Sequence, residues 1–513
     1  MLVLEAGGDD RGIDEVAIPA AFPNLFKTEH DWDYTTVEQK HMLGRRMYWP
    51  RGRLVGGSSS INAQLYVRGH RLDYDTWRDV HGCTGWGYAD LLPYFLRAED
   101  NGRGASDYHA VGGPLRVEDP RFTHERCHAF VESAVEHGIE RNDDCNGPRQ
   151  DGAGLFQVTQ RTGRRWSAAD AYLRPALDLV ASGGGRVDVA THALVTSVVV
   201  RDGRAVGVRW RSEGQELAAS AGAEVLLSGG AINSPQLLML SGIGPAPHLR
   251  ELGIDVVADV PGVGGNLQDH LAAPAIWVTQ GTTSLHDHEN VASLLRWQLR
   301  HDGPLASTIA EAYAFVRSDP ALPAPDLQYH VAAAAFAENG LREPPGPGFT
   351  MAPVLVSVAS SGSLRLASAD PTWRPLIDAG YLTDERDLDA LVVGIGISRA
   401  IAREGVLPKW LAREWLPGAG AESPDALRDA VRRHGQTLYH PVGTCAMGTG
   451  DASVVDEQCR VHGVEGLRVV DASVMPTVPR GNTNAPTIAI AERASDLVLG
   501  RDPLPPYDPA AAA

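Results

Sequence analysis

Apolar positions along this chain come in two textures. In the first, short Val- and Leu-rich runs end at paired glycines and then take up helical spacing. AEVLLSGGAINSPQLLMLSGIG (223–244) predicts a strand, a glycine turn and a helix. Pro235 suits that helix's first turn, and Gly242 and Gly244 its end. Arg186–Val200 and Ala205–Trp210 predict strands joined through Asp202-Gly203, a hairpin signal. LRVVDASVMP predicts a strand closing on an acid, Asp471, and Asn484–Gly500 a last helix stopped by Gly500. The chain opens in the same style, with apolar Leu2–Leu4, then Glu5, then Gly7-Gly8. The second strand of a dinucleotide-binding fold ends this way, its acid bonding a ribose.

The second texture lies between about 271 and 430, where Pro-rich turns, Trp297, Trp373, Trp410 and Trp415 and longer loops replace the regular alternation. The contrast predicts an α/β nucleotide-binding domain assembled from 1–115, 165–270 and 430–500. An α+β substrate domain from 116–164 and 271–429 would be inserted into it. Residues 501–513 carry no periodic pattern and are expected to be disordered.

Composition narrows the function classes. At 513 residues the chain is long enough for two or three domains. A net charge of −18 argues against a general nucleic-acid binder, which needs clustered Lys and Arg. No apolar run approaches the roughly 18 residues of a membrane span. No basic-then-apolar leader opens the sequence. Five cysteines without a CxxC pair suggest reduced thiols in a cytoplasmic protein, with peripheral membrane attachment left open.

Several stretches offer chemistry. His124, Glu125 and His128 in HERCH match the HExxH pattern of zinc proteases, on a segment that reads as helix. No third ligand is clearly placed, and exposed helical histidines are the commoner case, so no metal site is assigned. HDHEN (286–290) reads as a solvated loop. GVGGN (262–266) imitates a phosphate loop but follows Pro261 rather than a clean strand. GRLVGGSSSIN (52–62) offers many backbone and hydroxyl donors for a polar or anionic ligand. In LYHPVGTCAMG, His440 precedes Pro441, which restricts the backbone. With Asn482 in the polar turn PRGNTNAPT, it makes a candidate base.

Taken together, GRLVGGSSSINAQLYVRG, GAINSPQLLMLSGIG, PGVGGNLQDH, YHPVGTCAMG and RVVDASVMPTVPRGNTNAPTIAIAE resemble, in order, the glucose–methanol–choline (GMC) flavin oxidoreductases. The likeness is greatest to choline dehydrogenases and bacterial aliphatic alcohol dehydrogenases, and it runs from Met1 to about Leu499. It implies a discontinuous Rossmann-like FAD domain and a substrate domain built on an antiparallel sheet and helices. It puts Glu5 on the adenosine ribose and Val195 near the adenine. Gly57, Ser58 and Asn62 would lie along the pyrophosphate and flavin, with Asp471, Ala472, Asn482 and Thr483 at the ribityl chain and ring. Some family oxidases carry a flavin-linking His where this chain has Ile61, so FAD is expected to be noncovalent. Asn482 places the chain in the His–Asn catalytic class. Glu311 falls where choline-oxidising members are expected to hold a trimethylammonium group, although aliphatic alcohol enzymes often have Glu there too. The family also has about 30 residues before the Leu2–Leu4 strand, with a central strand and a GxGxxG turn. The natural protein is therefore expected to extend upstream of Met1.

The implied reaction takes an alcohol, primary by expectation, to an aldehyde. His440 would be base, Asn482 would bond the alkoxide, and hydride would pass to flavin N5. The partners are then a small alcohol and an electron acceptor, whether quinone, another carrier or oxygen. A non-redox lyase on the same fold and a zinc hydrolase on His124 and His128 stand as the alternatives.

Overall fold

A computed structural model describes residues 1–280 and 284–511. Its largest element is an eight-stranded antiparallel sheet. The main path runs Leu411–Leu416, Ile276–Thr279, Gly348–Leu355, Leu327–Ala332, Ala310–Val316, Gly152–Leu155, with Leu271–Ala272 paired to Gly348–Leu355 and Gln436–Thr437 paired in turn to Leu271–Ala272. Gly348–Leu355 is buried at every position, although Thr350 and Ala352 on one face line the cavity. Helices Glu125–Glu136 and Glu385–Ile401 pack on one side, enclosing Phe130, Tyr329, Phe349, Met351 and Ile401. The second helix approaches so closely that a Cβ on Gly394 would lie 2.6 Å from the Pro353 side chain. Tyr329 Oη donates to the Gly394 carbonyl at 2.6 Å.

The nucleotide half is more broken. Leu2–Leu4 pairs in parallel with Asp188–Ala190, and Val225–Leu227 with Leu467–Val469. These are two separate two-stranded pieces, and both border one cavity. The single strand expected over Arg186–Val200 is two, Asp188–Ala190 and Leu194–Arg201. The chain changes sheets between them, turning through His192 in the left-handed region (φ 53). The hairpin is as expected: Leu194–Arg201 and Arg204–Ser212 join through Asp202 (φ 48) and Gly203 (φ 74), the conformation Asp-Gly favours.

Gly230–Leu240 is the helix after the glycine pair, but Pro235 lies inside it rather than in its first turn. Proline removes the amide that would bond the carbonyl four residues back, here Ala231. Thr444 Oγ1 donates to that carbonyl at 2.6 Å, so the helix continues. Asn484–Val498 forms the closing helix, and Gly500 turns the chain away at φ 63. Residues 501–511 run along the surface instead of standing free. The Leu504 amide donates to Tyr94 Oη, the Tyr507 amide to the Ala89 carbonyl, and Arg71 pairs with Asp508. Among the described residues no helix is long and apolar enough to cross a membrane.

Candidate active site

The cavity between the two halves measures about 1890 Å³. Nearly every residue singled out from sequence lines it: Glu5, Gly57, Ser58, Asn62, Val195, His440, Asp471, Ala472, Asn482 and Thr483.

At the nucleotide end, Glu5 closes the first strand and accepts the Gly7 amide at 2.8 Å. Burial pushes its carboxyl up to about 7. The Gly57–Ser60 turn is entered through Gly56 and Gly57, both in the left-handed region (φ 87 and 54). At Gly56 a Cβ would sit 2.2 Å from Ser60 Oγ, so glycine is required there. At Gly57 it would meet nothing within 4 Å. Asn62 Oδ1 accepts from Arg165 Nη1 at 2.8 Å, and the same nitrogen donates to the Ser59 carbonyl. Arg165 Nη2 is buried without a partner, a spare donor beside this turn. Asp471 is already saturated. Its oxygens accept from the Gly230 amide, Ser234 Oγ, and the Ser473 amide and Oγ, tying two helix starts together.

The other end is built around His440, which three contacts fix. Its backbone N–H donates to Asp269 Oδ1 at 2.7 Å, while Asp269 Oδ2 accepts from Thr437 Oγ1 and Tyr381 Oη. Its Nδ1 lies 2.9 Å from His270 Nδ1, with the rings nearly perpendicular at 86°. Its Nε2 lies 3.3 Å from Asn482 Nδ2, and Asn482 Oδ1 in turn accepts from Gln328 Nε2 at 3.3 Å. The residue before His440, Tyr439, is held at φ 69, a strained conformation for a bulky residue and one that clusters at functional sites.

The network gives these contacts a direction. Gln328 donates to Asn482 Oδ1, which leaves the Asn482 amide nitrogen as donor to His440 Nε2. That nitrogen is therefore the lone-pair atom, and the His440 proton sits on Nδ1, donated to His270 Nδ1. Burial and the neighbouring imidazoles of His270 and His330 hold His440 well below the usual histidine range. Burial pushes His270 and His330 down to about 3. At neutral pH all three rings are uncharged.

A family model for the N-terminal part of GMC oxidoreductases matches residues 35–272, and one for the C-terminal part matches 358–491. The chain belongs to the GMC oxidoreductase family. It is 43% identical over 505 residues to an uncharacterised GMC-type oxidoreductase of Mycobacterium tuberculosis, covering 97% of this chain and 94% of that protein. An oxygen-dependent choline dehydrogenase of Rhizobium etli is 40% identical, covering 98% and 92%. The crystal structure of a pyridoxine 4-oxidase from Mesorbium loti superposes with a TM-score of 0.88 at 31% identity, covering 98% and 94%.

Like other GMC oxidoreductases, the protein uses FAD. The residues present fit it: Glu5, Gly57 and Gly230 line one cavity, with open space where a Cβ would stand on either glycine.

Other sequence candidates lie elsewhere. Glu311 is fully buried and does not line the cavity. Ser307 Oγ donates to one of its oxygens at 2.6 Å and the His124 amide to the other at 2.8 Å. The HExxH histidines part company. His124 is buried and caps Glu125–Glu136 by accepting the Arg126 amide, whereas His128 is exposed. The glycines of GVGGN serve close packing: a Cβ on Gly262 would lie 2.0 Å from the Ala452 carbonyl, and one on Gly264 2.1 Å from that of Leu364.

Sequence reasoning gave no role to Asp269, His270, Gln328 or His330. Asp269 and His270 stand inside the quoted motif NLQDH. Gln328 and His330 were detectable as two polar residues of like parity in the otherwise apolar strand LQYHVA.

Proposed function

We propose that this GMC oxidoreductase oxidises an alcohol, primary by preference, to an aldehyde, with His440 as the base. The directed hydrogen-bond chain from Gln328 through Asn482 to His440 carries this reading, because it makes Nε2 the unprotonated nitrogen of a ring that lines the cavity beside Asn482. FAD, when bound, supplies the acceptor for the hydride that leaves the α-carbon. His440 Nε2 takes the hydroxyl proton as that C–H bond breaks and the C=O bond forms. Asn482 Nδ2, freed as the imidazole turns to substrate, donates to the developing alkoxide. Asp269 anchors the His440 backbone, and His270 accepts the Nδ1 proton and so fixes the tautomer. Glu5, Gly57, Ser58, Asn62, Val195, Ala472 and Thr483 hold the cofactor along the cavity. Ile61, buried at the flavin-linking position, leaves it noncovalently bound.

The test is anaerobic mixing of the yellow holoenzyme with a panel of primary alcohols. Bleaching of the flavin with one aldehyde formed per flavin supports the reading. A flavin that stays oxidised while the substrate is cleaved would replace it with lyase chemistry.

A further inference from the structure

The wall of the cavity contributed by the antiparallel sheet is made of small neutral side chains. Ala310, Ala332 and Thr350 form one row across three strands, and His330 and Ala352 the next, with Ala272 at the edge beside Gln436. Four alanines leave room where larger residues would fill it. Phe22, Phe26, Phe336 and Tyr439 supply aromatic surface to the same cavity.

Charge is arranged equally tellingly. Glu311, the carboxylate of the wall strand Ala310–Val316, is turned away and tied to Ser307 and the His124 amide. Asp31 borders the cavity, but its four acceptor positions are filled by the Lys27, Asp33 and Arg51 amides and by Tyr48 Oη. Two charged groups hold the His440 turn: Asp269, which accepts the His440 amide and does not line the cavity, and Arg51, which lines it and whose guanidinium donates to the Tyr439 carbonyl at 2.5 Å. Among the described residues of this wall there is no carboxylate. A quaternary ammonium group against this wall would lose its hydration and meet no carboxylate on it, with ring faces to offset the cost.

We propose that the substrate is a neutral alcohol carrying a bulky apolar group, and that a cationic amino alcohol such as choline is disfavoured. The inference rests on the alcohol-oxidising reading of the same site.

The direct test uses the holoenzyme and a pair of equal shape: choline and 3,3-dimethylbutan-1-ol, in which carbon replaces the charged nitrogen. Anaerobic flavin reduction should be at least tenfold faster per molar with the neutral alcohol. Equal or faster reduction by choline would overturn the proposal. If neither compound reduces the flavin, the alcohol-oxidising reading loses this support, and the charge preference is read separately from binding through perturbation of the flavin spectrum. Tighter binding of the neutral compound supports the proposal, and tighter binding of choline overturns it. A second arm places a carboxylate on the wall. Ala332→Glu, checked for retained yellow colour, should move the choline-to-neutral ratio at least tenfold toward choline. An FAD-loaded variant with an unmoved ratio would show that this wall does not receive the alkyl group.

Discussion

The two halves that enclose the cavity are built to different standards. On the substrate side, eight strands pair without a gap, and Gly348–Leu355 is shielded at every position. On the nucleotide side, two parallel pairs of three-residue strands stand apart across the cavity, and Leu2 and Leu226 remain 42% and 43% exposed. An antiparallel sheet with its own core holds its shape unaided. Parallel pairs need both faces and edges covered before they are stable. The difference teaches where rigidity comes from in this enzyme. The sheet wall of the cavity is the continuously paired part, and the nucleotide side, with short separate strand pairs, is the part expected to gain order when FAD binds.

The largest effect that could break this comparison is in amide exchange. Without FAD, the amides of Leu2–Leu4 and Val225–Leu227 should exchange orders of magnitude faster than those of Leu327–Ala332 and Gly348–Leu355. FAD at 100 times its Kd should raise stability by about 2.7 kcal/mol and slow the first group most. Equal exchange in the two halves without cofactor would remove the distinction. The next effect is in the substrate half. Gly394→Leu forces a side chain into Pro353 and should cost about 1–3 kcal/mol, read by denaturant unfolding. It should slow flavin reduction little once folded. The smallest is in the nucleotide half. Thr444→Val strips the hydroxyl from the carbonyl that Pro235 leaves free and should cost about 1 kcal/mol, with FAD affinity weakened in parallel. No loss of stability would mean that water serves that carbonyl equally well.

Features set by neighbouring residues were legible in the sequence, and those set by distant partners were not. Asp202-Gly203 announced its hairpin because the turn needs only the φ preferences of two residues. Gly500 announced a helix end for the same reason. Pro235 was misplaced because the group that makes it tolerable, Thr444, lies 213 residues from the Ala231 carbonyl it serves. The strand over 186–200 broke because its two parts join different sheets, which no local pattern records. The candidate site divides along the same line. His440 and Asn482 stood out through their flanking Pro and Gly residues and through family motifs. His270, which fixes the tautomer, acts across 170 residues. Glu311 was the converse case: its position in the sequence invited a substrate role, but the register shift between Ala310 and Ala312 helps decide which way the strand's residues face, and Glu311 sits behind the wall.

Proton chemistry at His440 gives a pH dependence of definite sign. Burial lowers its proton affinity, so the ring stays neutral and able to accept a proton as pH falls through the ordinary histidine value of about 6.5. The rate of flavin reduction should therefore stay level from pH 8 through about 6.5 and fall only below it. An acid limb at or above pH 6.5 would contradict this environment for the base.

The central claim, that His440 removes the alcohol proton, is met most directly by anaerobic stopped-flow reduction of His440→Ala holoenzyme with a substrate that bleaches the parent. The variant should remain yellow, since the residues proposed to hold the cofactor are unchanged, and its flavin should be reduced about 100-fold more slowly or worse, with the acid limb gone from its pH profile. Reduction at the parental rate, with the parental acid limb intact, would contradict the account.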